Sequence, residues 1–207
     1  MRLGLDADEV LTTTRSVRKR LDLERPVERE VIEECLDIAL QAPTGSNAQG
    51  WQWVFVTDPE KKKVIADFYG ANYDKYTNRP DQPQYGVDDP RTAQRPKIMD
   101  SSRYLREIFH QVPVMMIPCI QGQGRLDSGV PTFGQASAWG SILPAVWSFM
   151  LALRERGLGS AWTTLHLPNE KEVADLLGIP YDTVTQAGLF PIAYTTGTDF
   201  KLAKRLP

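Results

Sequence analysis

The stretch Ala42-Pro43-Thr44-Gly45-Ser46-Asn47-Ala48-Gln49-Gly50-Trp51-Gln52-Trp53, read with the upstream run Arg15-Ser16-Val17-Arg18-Lys19-Arg20, organises the reading of the whole chain. The first is a loop of small, hydroxyl and amide side chains opening into an aromatic strand; the second gathers guanidinium groups. Hydroxyls and amides suit a polyol chain and a polar ring edge, and arginine's planar fork suits a phosphate. Together they point to a bound mononucleotide. Taken alone, the basic run also fits a solvated surface, and Pro-Thr-Gly-Ser-Asn also fits an ordinary turn.

Outward from this stretch, the pattern alternates between helix and strand. Asp6 and Glu9 have the spacing of a capping box, which predicts a short helix running toward Arg15. Val31, Ile32, Cys35, Leu36, Ile38, Ala39 and Leu40 recur at helical steps between Glu28 and Gln41, and Pro43 ends that helix because proline disfavours helical geometry in the residue before it. Trp51 to Thr57 reads as a strand. Asp58-Pro59-Glu60 then starts a helix with Val64, Ile65, Phe68 and Tyr69 on its apolar side. The segment Asn72–Lys97, polar and proline-bearing in its later part, is expected to be a lid or insert loop.

A helix is predicted over Ser101–Gln111, followed by an apolar strand over Val112–Ile120 whose prolines argue for an edge or irregular strand. Gly122-Gln123-Gly124 begins like a dinucleotide fingerprint, but Asp127 stands where the third glycine belongs and no helical pattern opens there, so that reading fails. Gln135–Arg156 is the longest predicted helix, apolar over most of its circumference and so requiring burial in the core or across a subunit interface. Gly157 and Gly159 end it, Ser160–His166 reads as a strand, Asn169 caps a helix through Leu177, and Val184–Thr195 is the last strand. No internal repeat interrupts this order, and an α/β or α+β layered sandwich, one domain over 1–207, is the expected class.

Composition narrows the function. The chain has 207 residues, 42% hydrophobic and 24% charged, and a formal net charge of −2. That balance gives no general attraction to nucleic acid or to an anionic membrane. No apolar run reaches the length needed to span a bilayer, and Asp6, Asp8 and Glu9 break the layout of a signal peptide, so a cytoplasmic location is expected. Two cysteines, Cys35 and Cys119, and two histidines, without ligand spacing, leave no metal site or disulfide framework. Both cysteines read as small core residues. His166 reads as structural or loop-surface, with no carboxylate or serine pattern to make it catalytic. The motifs of common hydrolases and phosphotransferases are missing.

Nearly the whole chain resembles the nitroreductase family of flavin-dependent oxidoreductases, on the strength of Arg15-Ser16-Val17-Arg18 and the Pro43 to Trp53 segment. The resemblance implies an α+β sandwich with a mostly antiparallel central sheet, forming an intertwined homodimer with two FMN sites at the interface. It implies that Arg15, Ser16 and Arg18, with Lys204 and Arg205 of the basic C-terminal segment, hold the flavin phosphate. Pro43, Thr44, Gly45, Ser46, Asn47 and Gln49 would contact the ribityl chain and ring edge. Thr163, Thr164 and Leu165 lie where the family passes a backbone N–H by the flavin N5, although Thr164-Leu165-His166-Leu167-Pro168 departs from the usual glycine-containing stretch. No protein group is expected to act as a catalytic acid or base. NAD(P)H would reduce the flavin, and a nitroaromatic, quinone or related acceptor would then take the electrons. A flavin-storage or sensing protein, or a relative adapted to flavin breakdown or reductive dehalogenation, stays open beside this reading.

Overall fold

The computed structural model describes residues 2–206. Its centre is a five-stranded antiparallel sheet: β1 (Trp51–Val56), β2 (Val114–Gln121), β3 (Leu158–Ser160), β4 (Val184–Gln186) and β5 (Phe190–Tyr194). The order is β1-β2-β5-β3, with β4 pairing β2 beside β5. Six helices cover it: α1 (Ala7–Thr13), α2 (Arg29–Ala39), α3 (Pro59–Asn78), α4 (Pro90–Ile108), α5 (Thr132–Glu155) and α6 (Glu170–Leu177). The class is α+β, as the sequence implied.

Side-chain alternation along β2 explains the three layers. Met115, Ile117 and Cys119 join the core under α3, α4 and α6. Val114, Met116 and Ile120 join the other core, with α2 and α5. Successive strand residues point to opposite faces, and both faces of β2 are covered, so the strand is apolar from Val114 to Ile120.

That coverage rules out the edge alternative and leaves the irregular one, a change of partner at Pro118. β2 is central, with β1 on one side and β5 then β4 on the other. Pro118 is tolerated because it falls in the gap between those last two partners. β5 pairs only as far as Met116 and β4 begins at Cys119, while the Pro118 carbonyl accepts from Ala187 N at 2.8 Å. A strand residue's N–H and C=O point to the same side, so the missing N–H lies at the gap rather than toward β1.

The expected loop over Asn72–Lys97 is mostly helix. α3 runs on to Asn78 because Ile65, Tyr69, Asn72 and Tyr73 keep a buried stripe at helical spacing, with Tyr69 edge-on to Phe109 at 4.6 Å. α4 starts at Pro90, eleven positions before the predicted Ser101: Asp89 caps it, accepting from Arg91 N at 2.8 Å, and Pro90 occupies the first helical position, where no N–H is needed. Only residues 79–89 connect the two helices. The final predicted strand is likewise two, β4 and β5, parted at Gly188 with φ 157°. β3 ends at Ser160, and residues 161–166 leave the sheet apart from a bridge between Thr163 and Leu189.

α5, of 24 residues, is long and apolar enough by length and composition to cross a membrane, contrary to the reading that no such run exists. One side of it is core: Ile142, Val146, Phe149 and Leu153 are fully or almost fully buried against the sheet. Phe149 packs on Trp53 and Phe55 of β1 at ring-centroid distances of 5.8 and 6.0 Å. Its other side is open, with Phe133 80% and Trp147 39% exposed. Phe149→Ala should cost about 3–5 kcal/mol through lost burial and the cavity left behind, read as a lowered midpoint in urea unfolding. A loss under about 1 kcal/mol would mean that α5 does not depend on this contact for its seat on β1.

Candidate functional site

The arginine segment is fixed by one close approach. Val17 N donates to Ser160 O at 2.8 Å, and Ser16 bridges Ser160 in parallel, so residues 16–17 extend the sheet beyond β3. Gly159 permits this: a Cβ there would stand 2.8 Å from both Val17 Cβ and Thr195 Cγ2. With Val17 buried against β3, its neighbours turn the other way. Arg15 donates to the Lys201 carbonyl, Ser16 is exposed, and Arg18 reaches Ser101 Oγ on α4 at 3.3 Å. Lys19 and Arg20 pair with Asp100 and Asp199, both at 2.5 Å. Arg15 and Arg18 make no ion pair among the described residues. Arg18 is half-buried beside Tyr69 and Tyr73, and burial lowers its pKa. A guanidinium in that position, without a carboxylate and with one long hydrogen bond, is prepared for an anion from outside the chain.

The Pro43 to Gly50 loop holds backbone strain. Ser46, Asn47 and Gln49 have φ of 53°, 53° and 50°, the left-handed region that non-glycine residues avoid. Such conformations persist only where the surroundings over-determine them, and they cluster at ligand sites. Here the restraints are Gly45 N to Ser141 Oγ at 2.9 Å, Gln49 N to Thr44 Oγ1 at 3.1 Å and Gln49 Nε2 to Asn47 Oδ1 at 3.0 Å. Trp51 Nε1 donates to Ser141 O at 2.7 Å and anchors the start of β1. Pro43, Gly45, Ser46, Asn47 and Gln49 remain exposed.

The structure does not bring these two groups together within one chain. The loop feeds β1 and the arginine segment lies beyond β3, at opposite edges of the sheet path, about 19 Å apart at the usual strand spacing. The C-terminal segment does approach the arginines through Arg15 and Lys201. Lys204 and Arg205 themselves line a cavity of about 520 Å³ with Tyr76, Tyr85, Arg95 and Met99, beside residues 79–89.

Of the three residues expected near a flavin N5, Thr163 has its N–H committed to Leu189 O at 3.1 Å and its hydroxyl to the same oxygen at 2.6 Å. Thr164 is exposed and Leu165 half-buried. No described hydrogen bond engages the N–H of either, which leaves these two as the available donors.

His166, next in line, is fully buried. Its Nε2 is 3.1 Å from Gln186 Oε1, and Gln186 Nε2 donates to Glu170 O, so the amide orientation makes Nε2 the protonated nitrogen. Glu170 pairs in turn with Arg125 at 2.5 Å. Asn169, at the start of α6, does not cap it through its side chain: Oδ1 accepts from Asn72 Nδ2 at 2.9 Å. These partners, with Ser101 and Ser141, escaped the sequence reading because nothing local marks them; Arg18 and Ser101 are 83 positions apart. Burial pushes the Cys35 thiol up to about 11 and the Cys119 thiol to about 12, so neither is a nucleophile.

The Nitroreductase family model matches residues 11–194. The chain belongs to this family. An iodotyrosine deiodinase of Thermotoga neapolitana is 26% identical over 185 residues, 89% of this chain and 86% of that protein. Among solved nitroreductase-fold structures, a variant of the FMN and NADPH-dependent nitroreductase NfnB from Sphigopyxis sp. strain HMH matches with a TM-score of 0.65 at 25% identity, over 93% of this chain and 89% of that one. A BluB-like flavoprotein from Clostridium difficile 630 matches with a TM-score of 0.71 at 17% identity, over 99% and 96% of the two chains.

Burial lowers the His166 pKa to about 4, from an unfolded value near 6.5. Between those values the unfolded chain binds a proton that the folded chain refuses, so the stability tied to a neutral His166 is complete above about pH 6.5 and is lost as pH falls toward 4. Its full size is on the order of 3 kcal/mol. His166→Gln should flatten the stability profile over that window relative to wild type, and parallel profiles would show that His166 is not held neutral.

Proposed function

We propose that this chain is an FMN-dependent oxidoreductase. The observation that carries the proposal is Arg18, a half-buried guanidinium with no carboxylate partner among the described residues, where a phosphate monoester would supply the missing charge. Ser16 would add a hydroxyl, and Lys204 and Arg205, which line the cavity beside residues 79–89, would reach the phosphate from the C-terminal segment. The residues fit the cofactor. Bound FMN would supply the redox step, accepting a hydride from NADH or NADPH and passing electrons to a nitroaromatic, quinone or related acceptor.

The remaining contacts call for a second copy. A homodimer would bring the Pro43, Thr44, Gly45, Ser46, Asn47 and Gln49 loop of one protomer to the arginine segment of its partner, joining halves that one chain keeps at opposite sheet edges. It would also cover the open side of α5 with Phe133 and Trp147, and Ile38 of α2, 45% exposed. Thr164 and Leu165 would present their N–H groups to the ring, with Thr163 holding that turn to β5. No acid or base is asked of the protein, in keeping with a neutral, enclosed His166 and two protonated thiols. Residues 79–89, a connection between two firm helices, would set acceptor choice.

The match to an iodotyrosine deiodinase favours one second reading, reductive removal of halogen from a haloaromatic substrate at the same site. A visible spectrum of the purified protein, recorded anaerobically with NADPH, NADH and then each acceptor, separates the readings. Flavin bands that bleach with a nicotinamide donor and return with a nitroaromatic or quinone support the first. Reoxidation by a haloaromatic alone supports the second, and absence of flavin after FMN is supplied ends both.

Arg18→Ala should weaken FMN binding by about 10- to 100-fold, the worth of one charge-assisted contact, with Arg18→Lys recovering part of it in a fluorescence titration. Wild-type affinity in both variants would remove Arg18 from the phosphate site. Exchanging residues 79–89 for a short glycine-serine linker should shift acceptor preference while FMN stays bound; unchanged preference would end the lid assignment.

A further inference from the structure

The turn that carries Thr164 and Leu165 is held from both sides. On the N-terminal side Thr163 gives its N–H and its hydroxyl to Leu189 O. The turn then closes on itself, Leu167 N donating to Thr164 O at 3.0 Å and Asn169 N to His166 O at 2.8 Å. On the C-terminal side the hold is the His166 imidazole, whose Nε2 donates to Gln186 Oε1 at 3.1 Å. Gln186 is itself pinned twice by Glu170: its side-chain amide donates to Glu170 O at 2.9 Å and its backbone N–H to Glu170 Oε1 at 2.9 Å. Arg125 fixes Glu170 through their ion pair, donates to Tyr181 O at 3.1 Å and lies 3.8 Å over the Tyr181 ring.

Stability alone does not account for this chain of contacts. His166 Nδ1 is buried and meets no donor, and a buried polar network with a member unsatisfied is worse for stability than apolar side chains of similar volume. What the network provides is direction. Leu165 is half-buried against the core under α3, α4 and α6, a contact without orientation of its own. An imidazole with one acceptor, and that acceptor pinned by its neighbour, allows one placement of the backbone it belongs to. His166 and Gln186 are 0% and 1% exposed, so neither side chain reaches a ligand directly. Held neutral by burial, the ring acts by geometry and adds no charge to the site.

We infer that His166 and Gln186 are positioning residues of the flavin site: through the network anchored by Glu170 and Arg125 they set the backbone N–H groups of Thr164 and Leu165 against the isoalloxazine ring. The inference rests on the FMN reading above. It adds to that reading a hold on the ring contacts that is separate from the arginines proposed for the phosphate.

The test compares wild type with His166→Leu, Gln186→Leu and His166→Gln, the last keeping a donor near the place of Nε2, all at full FMN occupancy. The readouts are amide hydrogen exchange at Thr164 and Leu165 with and without FMN, the midpoint potential of the bound flavin, and its rate of reduction at saturating nicotinamide donor. In wild type, FMN should slow exchange at those two amides. In both leucine variants that protection should be lost, the potential should shift, and reduction should slow by about 3- to 10-fold, the worth of one hydrogen bond; His166→Gln should recover most of each. Leucine variants that unfold at a lower midpoint but keep wild-type protection, potential and rate would show a role in stability alone and overturn the inference. FMN that binds wild type and is reduced without slowing the two amides would overturn it too and leave the oxidoreductase reading standing, whereas a protein that takes up no FMN overturns both. If the leucine variants do not fold, Arg125→Gln at the half-buried end of the network takes their place, with the same losses expected in smaller degree and the same overturning result.

Discussion

Strand β2 has no solvent face, and most of the molecule follows from that. Its two sets of side chains, Met115, Ile117 and Cys119 on one face and Val114, Met116 and Ile120 on the other, each need a helical layer to keep water away. α3, α4 and α6 supply one layer, α2 and α5 the other. With the centre of the sheet closed on both faces and both edges, groups meant to meet a ligand can only lie on the outer strands and their connections. That is where the arginine segment and the Pro43 to Gly50 loop are found, one beyond β3 and the other before β1. The same constraint drives them apart, which is why the proposed site calls on a second copy of the chain.

Where the chain was legible in its sequence, the signal was local and periodic. Asp6 and Glu9 form the capping box they spell, with Asp6 N to Glu9 Oε2 at 3.0 Å and Glu9 N to Asp6 Oδ1 at 2.8 Å. α2 covers the helical spacing from Val31 to Ala39, and Asp58-Pro59 starts α3 as read. The failures share a cause as well. Pro118 looked like an edge marker because the sequence does not reveal which neighbours a strand residue must serve, and only the handover from β5 to β4 makes its missing N–H harmless. Pro90 looked like a loop residue until α4 placed it at its first position. In α3, polar Asp74 and Lys75 hid the continuation of the inward stripe from Tyr69 to Asn72 and Tyr73.

The candidate site was legible in residue type and illegible in arrangement. Arginines and hydroxyls can be seen in a string of letters. That Gly159 must lack a Cβ so that Val17 can lie on β3, and thereby aim Arg18 at α4, is a relation between positions far apart in the chain. So is the commitment of the Thr163 N–H to Leu189, which shifts the available donors to Thr164 and Leu165. The left-handed backbone had a sequence signal only at Asn47, whose side chain tolerates that region, and none at Ser46 or Gln49.

Charge pairing supplies the strongest internal argument that the arginines left unpaired serve a ligand. Elsewhere this chain does match a sheltered arginine with a carboxylate: Arg125 with Glu170 at 2.5 Å, Arg156 with Glu34 at 3.1 Å, Arg20 with Asp199. Acidic residues are not scarce, at 26 against 24 basic ones. Yet Arg15, Arg18 and Arg154, all near β3 and the C-terminal strap, have no carboxylate partner among the described residues. Leaving a sheltered guanidinium uncompensated costs stability unless something outside the chain completes it. The fold pairs Arg20, Arg125 and Arg156 with carboxylates and gives half-buried Arg95 the Pro83 carbonyl and Gln82 Oε1, so the charge left open near β3 is where an external anion would gain most.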